Sequence, residues 1–277
     1  MLVSFLASGS KGNVTLVQTN NNNILIDVGL SMKRINERLL VYHGIDLEDV
    51  SVVCITHRHG DHIQGLVPII NKYEHIKFII HPKVLEDLLK EKKIRIPKDR
   101  LIEVNRNQIV GNSISVKLFE LKHDVPCFGF HITDKVDGES YGHISDNGGW
   151  IPEDIIAMLE GASYLGIESN HDLTMQILDK KRDGLLKRRV LGGWGHTHNV
   201  VAFRLAVKLT TNNTKGIIFH HLSEECNTIE LASRTHDELM TIWGERTRFK
   251  HVNIQYAKQN EVVSIGEWKS VNNSKRT

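Results

Sequence analysis

The sequence contains few aromatic residues, prolines and cysteines. Only 6% of its 277 residues are aromatic and only five are proline. Its three cysteines, Cys54, Cys127 and Cys226, lie far apart and form no C-x-x-C pair, so neither a disulfide framework nor a thiolate metal site is indicated. This use of cysteine fits a reducing cytoplasm.

Two further absences limit the location and the partners of the chain. No stretch reaches the roughly 18 apolar residues of a membrane-spanning helix, and the first residues lack the basic and apolar segments of a signal peptide. The formal net charge is only +2, so charge alone does not indicate nucleic acid. We therefore expect a cytoplasmic protein without a membrane partner.

Length and composition predict one domain. Hydrophobic residues make up 40% of the chain and charged residues 25%, as in ordinary globular proteins, and no Pro/Gly/Ser-rich linker divides it. We predict a single domain over residues 1–257. The remaining residues lose apolar periodicity and are rich in Lys, Ser, Asn and Thr, which predicts a polar tail over residues 258–277.

Short apolar runs alternate with amphipathic stretches along the chain. Strands are predicted over residues 2–6, 14–18, 23–27, 50–56, 77–81, 113–121, 127–133, 140–144, 164–168 and 216–220. Helices are predicted over residues 31–41, 66–71, 83–90, 152–160, 173–179, 199–209 and 228–241. Helices fall between strands throughout, which predicts sheets covered by helices.

One six-residue segment, residues 57–62, offers three imidazoles and one carboxylate directly after a predicted strand. Because side chains alternate in an extended chain, His57 and His59 lie on one face and can share an ion. Asp61 and His62 follow a glycine, where the chain can bend and present ligands to a second position. Such ligands suit zinc, manganese or iron, and their division between two positions suits a binuclear hydrolytic centre.

Three further ligand candidates, His123, Asp146 and His221, stand at the ends of predicted strands downstream. A single residue of this kind at a strand end is more often a hydrogen-bonded structural residue than a ligand. Together with the first segment, however, they have the spacing that two coordination shells would need. The joint pattern favours metal binding at a common rim of the sheets.

These residues carry a resemblance to the metallo-β-lactamase superfamily. Residues 24–29, 57–62 and 145–148 resemble its first, second and fourth motifs, and His123 and His221 resemble its third and fifth. The resemblance implies an α/β (α+β) fold, specifically an αβ/βα sandwich of two mixed sheets flanked by helices, with metals at one rim.

The resemblance also implies a role for each motif residue. The first metal would be held by His57, His59 and His123. The second would be held by Asp61, His62 and His221. Asp146 would bridge the two, and Asp27 would support the metal loop without binding metal.

Further short motifs indicate one branch of this superfamily. Residues 6–13, 168–172, 187–192, 195–196 and 221–223, with Glu225 and Asn227, are similar to the WalJ/YycJ-like proteins, a branch associated with 5′-to-3′ exonuclease activity on DNA. The sequence departs from that branch at Gly60, at Asn147 and at residues 197–198.

Glu168 and His196 resemble the pair that serves proton donation in RNase Z-like phosphodiesterases. Asp61, Glu168 and His196 are therefore the candidate catalytic residues. Asp61 would orient the attacking water, and His196, held in its tautomer by Glu168, would donate a proton to the leaving oxygen. As alternatives, Glu168 is a helix-cap or core carboxylate and His196 a solvated loop residue.

Several polar residues near the motifs are candidates for substrate binding. The small, glycine-rich turn over residues 8–13 could offer backbone N–H groups to a phosphate, although a plain hairpin turn needs no function. The candidate substrate contacts are Ser8, Ser10, Asn13, Asn170, His171 and His198.

A basic cluster and two tryptophans each have both a functional and a structural interpretation. Residues 180–182 and 187–189 form a basic cluster that could follow a nucleic-acid backbone or could be a solvated face. Trp150 and Trp194 could stack on a base or a sugar, and packing is the alternative.

The sequence therefore predicts a binuclear metal-dependent phosphodiesterase, a 5′-to-3′ DNA exonuclease that uses a metal-bridged hydroxide. Its cofactors would be two divalent ions, zinc or manganese, with iron as a further option. Its partner would be nucleic acid, with DNA favoured, or a nucleotide; the oligomeric state is open, with a homodimer among the options. The alternatives are an RNase Z-like phosphodiesterase for RNA ends or cyclic nucleotides, a thioesterase or lactonase, and a non-enzymatic DNA-binding module.

Overall fold

The structure is a computed structural model that describes residues 1–102, 108–110, 113–181 and 183–267. Its strands are β1 (Leu2–Ala7), β2 (Val14–Gln18), β3 (Asn23–Ile26), β4 (Val52–Ile55), β5 (Lys77–Ile80), β6 (Gln108–Val110), β7 (Ile114–Leu121), β8 (Cys127–Asp134), β9 (Ser140–Ile144), β10 (Tyr164–Glu168), β11 (Gly216–His220), β12 (Asn253–Tyr256) and β13 (Val263–Gly266). Its helices are α1 (Met32–His43), α2 (Gly60–Ile63), α3 (Leu66–Lys72), α4 (Pro82–Lys92), α5 (Glu153–Leu159), α6 (Leu173–Leu178), α7 (Gly184–Leu191), α8 (Asn199–Leu209), α9 (Ile229–Ile242) and α10 (Arg246–Phe249), with 3₁₀ turns at Leu47–Asp49 and Lys98–Arg100.

The strands form two mixed sheets. The six-stranded sheet has the order β13-β1-β2-β3-β4-β5, in which β3, β4 and β5 run parallel. The seven-stranded sheet has the order β12-β11-β10-β9-β8-β7-β6, in which β9 to β12 run parallel. Because β1 and β3 are both antiparallel to β2, their carboxyl ends share one edge of the first sheet.

Side-chain alternation creates three cores. Ile24 and Ile26 of β3 face the second sheet, where they join a core that includes Phe130 of β8 and Tyr141 of β9. Leu25, between the two isoleucines, faces the opposite way into the core beneath α1, α3 and α4. A third core lies between the second sheet and the helices α5, α8 and α9. The predicted αβ/βα sandwich of two mixed sheets is confirmed.

The distance between the sheets depends on small residues. A Cβ added at Gly166 of β10 would lie 2.3 Å from the Tyr141 hydroxyl oxygen and 2.9 Å from Phe5 Cζ. Since such contacts are far shorter than van der Waals distance, glycine is needed here for the two large aromatic rings to fit between the sheets.

The C-terminal region differs from the predicted polar tail. Within residues 258–277 the structure contains β13, which pairs antiparallel with β1 from Leu2↔Gly266 to Phe5↔Val263. Ile265 of this strand is 2% exposed and packs between the sheets. The first part of the predicted tail is therefore a sheet strand, and residues 268–277 lie outside the described residues.

None of the helices in the described part of the chain has both the length and the apolar character that a bilayer-spanning helix needs.

Candidate metal centre

The segment after β4 is held by a buried carboxylate at the end of β3. Asp27 Oδ1 accepts a hydrogen bond from the Thr56 backbone N–H (2.8 Å), and Asp27 Oδ2 accepts one from Thr56 Oγ1 (2.8 Å). A Cβ added at Gly29 would lie 1.7 Å from the Asp61 carbonyl oxygen, so only glycine lets the two loops approach this closely. The segment that contains the histidines is thereby fixed before any ligand binds.

Asp27 also orients one imidazole. His62 Nδ1 lies 2.7 Å from Asp27 Oδ2, which leaves His62 Nε2 directed at Asp146 Oδ2 (3.3 Å) and Asp61 Oδ2 (3.5 Å). Burial raises the pKa of Asp27 overall, although His62 opposes the shift. A carboxylate behind a histidine is the usual way in which proteins orient metal-binding imidazoles. This geometry agrees with the supporting role that the resemblance implies for Asp27.

Three imidazoles form the first donor group. His57, His59 and His123 each place a ring nitrogen within 4.8 Å of the nitrogens of the other two. His57 Nδ1 contacts Thr56 Oγ1 (2.9 Å), and His123 Nδ1 donates to the Gly195 carbonyl oxygen (3.2 Å). Among the described residues His57 Nε2 has no hydrogen-bond partner although it is buried. A buried nitrogen without a partner is costly, and a bound cation would satisfy it.

The electrostatics of this group favour neutral rings. Burial lowers the pKa of His57 well below its usual value, lowers that of His59 to about 4, and lowers that of His123. Neighbouring imidazoles add to the effect on His57 and His59. Because only the neutral imidazole binds a metal, these three rings are in the form that a metal requires.

The second donor group combines a carboxylate with two imidazoles. Asp61, His62 and His221 place their donor atoms within 4.8 Å of one another, and Asp146 forms a further such group with His57 and His62. His221 Nε2 lies 3.7 Å from Asp61 Oδ2 and, within the described chain, has no hydrogen-bond partner. Asp146 therefore lies between the two donor groups.

This second group stabilises positive charge. Burial alone would lower the pKa of His221, but Asp146 and the neighbouring carboxylates of Asp61 and Glu168 raise it to about 10. The pKa of His62 is likewise raised, because Asp146 and Asp27 outweigh burial. Carboxylates that hold protonated imidazoles in place mark a position where a divalent cation would also be stabilised.

Backbone strain is concentrated at this rim. Of the described non-glycine residues with positive φ, Asp27 (58°), Asp146 (51°) and His221 (57°) belong to the site, and Lys93 (57°) ends α4. Asp27 and His221 directly follow β3 and β11, and Asp146 follows β9 after one further residue, so all three lie at the carboxyl edge of a sheet. Left-handed backbone at non-glycine residues costs free energy and is concentrated at functional sites. Here it turns the side chains at the strand ends toward one cluster of donor atoms.

Glu168 and His196 form a pair beside both donor groups. Glu168 Oε1 accepts from His196 Nδ1 (2.7 Å) and His221 Nδ1 (2.9 Å). Glu168 Oε2 accepts from the backbone N–H groups of Asn147 and Thr197, both at 3.0 Å. Burial raises the pKa of Glu168, but the hydrogen bond and charge of His196 lower it overall. Glu168 is therefore a fully hydrogen-bonded carboxylate at the end of β10, and it caps no helix.

The donors fit divalent metal ions. The described cluster offers imidazole nitrogens and carboxylate oxygens without thiolate, and two of its buried nitrogens lack partners. A further group, of Asp146, Glu168, His196 and His221, also brings its donor atoms within 4.8 Å of one another. In this group both oxygens of Glu168 already accept hydrogen bonds.

The predicted substrate contacts lie near the rim, but several have partners within the protein. The Ser8 hydroxyl accepts from the His221 backbone N–H (2.7 Å), and Asn170 Nδ2 donates to the His221 carbonyl oxygen (2.7 Å). Asn13 Nδ2 donates to Asp61 Oδ2 (3.2 Å). These three side chains hold metal-centre residues, and their contact with substrate stays a prediction.

The other three predicted contacts are placed differently. Ser10 is exposed at the turn before β2. His171 is buried and pairs in a β-bridge with His198, the residue before α8, with their ring centroids 6.0 Å apart. Their role toward a substrate also stays a prediction.

Asp124 is a residue that the sequence analysis missed. Asp124 Oδ1 lies 3.4 Å from His59 Nε2 and 3.1 Å from His123 Nε2, and its other oxygen forms an ion pair with Arg189 of α7. Asp124 thus connects the first donor group to the basic helix. Its position directly after His123 was the signal in the sequence, because a carboxylate beside a ligand histidine can orient the neighbouring ligand.

Comparisons with known proteins agree with this geometry. The sequence model of the Metallo-beta-lactamase superfamily matches residues 7–207. The chain is 31% identical to the exodeoxyribonuclease WalJ of Streptococcus pneumoniae serotype 2 over 84% of this chain and 85% of that protein. It is 33% identical to the exodeoxyribonuclease YycJ of Bacillus anthracis over 83% of this chain and 85% of that protein.

More distant similarities are partial or structural. Ribonuclease Z proteins match over less than half of the chain. The metallo-beta-lactamase fold protein YhfI from Bacillus subtilis, a solved structure, has a TM-score of 0.65 at 18% identity and covers 95% of this chain and 99% of its own. At this identity the similarity shows the fold alone.

Proposed function

Because the chain belongs to the Metallo-beta-lactamase superfamily, and within it to the branch of the exodeoxyribonucleases WalJ and YycJ, we propose that it is a binuclear metal-dependent phosphodiesterase that removes nucleotides from the ends of DNA. The observation that carries the proposal is the Glu168–His196 pair, with Oε1 2.7 Å from Nδ1, beside the two donor groups. Phosphodiester cleavage needs a proton at the departing alkoxide oxygen, whereas a thioester releases a thiolate, which needs that proton far less.

Seven residues would hold two divalent ions in this proposal. The first ion would be held by His57, His59 and His123, the second by Asp61, His62 and His221, and Asp146 would contact both. Ions held there would supply Lewis acidity, neutralising charge on the phosphoryl oxygens and making a water molecule more acidic. Zinc and manganese both suit these nitrogen and oxygen donors, and iron is a further option.

The side chains of the protein perform the remaining steps. Asp61, whose carboxylate is fixed by Asn13 Nδ2, orients the attacking water toward the phosphorus. Glu168 accepts a hydrogen bond from His196 Nδ1, which leaves His196 Nε2 as the nitrogen that can give a proton to the departing oxygen. Since Glu168 also contacts His221 Nδ1, one carboxylate sets the geometry of both the acid and a ligand.

The substrate is a nucleic acid, and we favour DNA, attacked from the 5′ end, on the similarity to the two exodeoxyribonucleases. The side chains of Lys122 and Arg189 near the first donor group would contact backbone phosphates. We also propose a cytoplasmic location, because the three cysteines are buried and unpaired, as expected under reducing conditions.

A metal-dependent digestion assay tests the proposal. Purified protein with zinc or manganese is offered end-labelled double-stranded DNA, single-stranded DNA, RNA and 3′,5′-cyclic nucleotides, beside the Asp61→Asn variant. We expect loss of DNA from one end that chelation and Asp61→Asn both abolish. End labels placed at the 5′ or the 3′ terminus report the direction of digestion.

Other results of the same assay would decide between the alternatives. Turnover of RNA ends or cyclic nucleotides without loss of DNA would replace the proposal by a ribonuclease Z-like activity. Inertness on all four substrates, together with turnover of a thioester or lactone, would replace it by that chemistry.

A further inference from the structure

Two exposed tryptophans lie on the loops that carry residues of the metal centre. The side chains of Trp150 and Trp194 are 62% and 59% exposed. Trp150 follows Asp146 by four residues, and Trp194 precedes His196 by two. By contrast, Trp243 packs against the core between the second sheet and its helices. Tryptophan gains free energy mainly by burial, so two exposed indoles at one rim indicate a surface that contacts a partner.

The two loops are locked to each other and to the first donor group. A Cβ added at Gly148 would lie 2.1 Å from the Gly193 carbonyl oxygen, so the two backbones are in contact. The Gly148 backbone N–H donates to the Lys122 carbonyl oxygen (2.9 Å), and the Gly195 carbonyl oxygen accepts from His123 Nδ1 (3.2 Å). The two tryptophans therefore lie on loops whose backbone position is fixed relative to the metal centre.

A lysine lies over one of the two indoles, and an arginine lies on the same side of the site. Lys122 Nζ lies 4.7 Å from the centroid of the Trp194 ring, a distance at which a cation is attracted to the aromatic face. The side chain of Arg189 is 54% exposed and pairs with Asp124 on the same side of the site. Aromatic faces interleaved with cations are the combination by which proteins hold single-stranded nucleic acid: bases stack on the rings and phosphates meet the charges.

We propose that Trp150, Trp194 and Lys122 form a stacking site for the unpaired bases next to the phosphodiester that is cut. We call these three residues the tryptophan platform. Its ligand is a single-stranded or frayed DNA end, because bases inside a duplex are already stacked on their neighbours. The inference rests on the proposed function and deepens it, since it names the form of the DNA end that reaches the metal centre.

A binding experiment tests the platform without requiring catalysis. Two single-stranded DNAs of equal length and phosphate number are compared in the Asp61→Asn background: one carries ordinary bases throughout, and the other has abasic residues at its two terminal positions on both ends. Fluorescence anisotropy of an internal label gives both dissociation constants. We expect the DNA with terminal bases to bind roughly 5- to 150-fold more tightly, the range that base–aromatic stacking supplies.

Matched variants test whether the platform causes the preference for DNA with terminal bases. The double substitution Trp150→Ala and Trp194→Ala should bring the two dissociation constants close together, whereas Trp194→Phe should keep most of the preference because it keeps a ring. Tyr42→Ala removes a 57% exposed aromatic residue from the end of α1, far from this rim, and should change nothing. If the double variant proves unfolded by circular dichroism, the single substitutions Trp150→Ala and Trp194→Ala serve as the platform variants, and each should lower the preference.

The outcomes separate the two proposals. Equal binding of both DNAs by the unaltered platform, or a preference that survives in the folded platform variants, overturns the platform even if the wild-type protein digests DNA. A preference that the platform variants abolish supports the platform even if the wild-type protein digests no DNA, in which case the nuclease proposal fails by itself.

Discussion

The two edges of the sandwich, at the amino and carboxyl ends of the strands, differ in whether their polar groups find partners within the protein. At the amino ends of the strands, a cavity of about 740 Å³ is lined by residues that include Met1, Glu139, Tyr164 and Lys215. There Glu139 pairs with the Met1 amino group and with Lys215 Nζ (2.6 Å). At the carboxyl ends, the cluster of imidazoles and carboxylates leaves buried nitrogens of the described chain without partners.

This difference shows what marks the functional edge. The cavity at the amino edge is large, but its Glu139 charge is neutralised within the protein, and the positive-φ residues Gly138 and Gly266 beside it are glycines. The carboxyl edge has strained backbone at three residues and donors that converge on common points. Unsatisfied, convergent donors are therefore a better guide to the site here than the volume of a cavity.

Asp61→Asn should have the largest effect. It removes the one carboxylate charge contributed by the segment after β4 while preserving shape and most hydrogen bonds. We expect kcat for DNA digestion to fall by about 10³-fold or more, since a metal ion supplies several kcal/mol of transition-state stabilisation. Steady-state kinetics measures the loss, and circular dichroism checks the fold. Activity within tenfold of wild type would contradict the assignment of the carboxyl edge as the catalytic site.

His196→Ala should have the next largest effect. Loss of the proton donor is expected to lower kcat by about 10²- to 10⁴-fold, with little change in KM or in the number of bound metal ions, because His196 is not assigned as a ligand. Kinetics and metal content are measured together. His251→Ala, at an exposed histidine, is the control. Loss of metal along with activity would instead make His196 a ligand.

Asp124→Asn should have a moderate effect. Asp124 contacts His59 Nε2, and residues that orient a ligand typically contribute about 10- to 100-fold in metal affinity or activity. Competition with a chelator measures the affinity. Glu120→Gln, an exposed acidic residue on β7, should leave the affinity unchanged. An Asp124→Asn protein with wild-type metal affinity would show that the ion pair with Arg189 has only a structural role.

Glu139→Gln, at the amino edge, should have the smallest effect on function. Removing the partner of two cations is expected to lower the free energy of unfolding by about 1 kcal/mol, as for partly exposed ion pairs. DNA digestion should stay at the wild-type rate. Denaturant unfolding and the digestion assay are the two measurements. A clear loss of activity in this variant would show that the amino edge also contributes to function, which would contradict the distinction between the two edges.

Much of the fold was predictable because its central strands are short apolar runs. The predicted strands 140–144, 164–168 and 216–220 coincide with β9, β10 and β11, and the predicted helix 199–209 coincides with α8. Two of these strands, β10 and β11, are buried along their whole length, so their largely apolar character is visible in sequence. The clustering of the candidate ligands was also predictable, since parallel strands bring their carboxyl ends to one edge.

Other elements could not be predicted from local patterns. β13 is a half-buried strand of four residues, and its pairing with β1 joins segments about 260 positions apart, which no local periodicity reveals. The α7 helix carries exposed basic residues, Arg188 and Arg189, so in the sequence it was noticed only for its charge. Asp124 was missed because its partners, His59 and Arg189, are distant in sequence.

The count of metal ions per chain tests the central claim most directly. Protein purified and reloaded with zinc or manganese, freed of excess metal, is analysed by elemental mass spectrometry alongside DNA digestion, with His57→Ala as the comparison. The account predicts about two divalent ions per wild-type chain, fewer in His57→Ala, and digestion that disappears with a chelator and returns with metal. A wild-type chain that binds no divalent ion yet digests DNA in the presence of the chelator would contradict it.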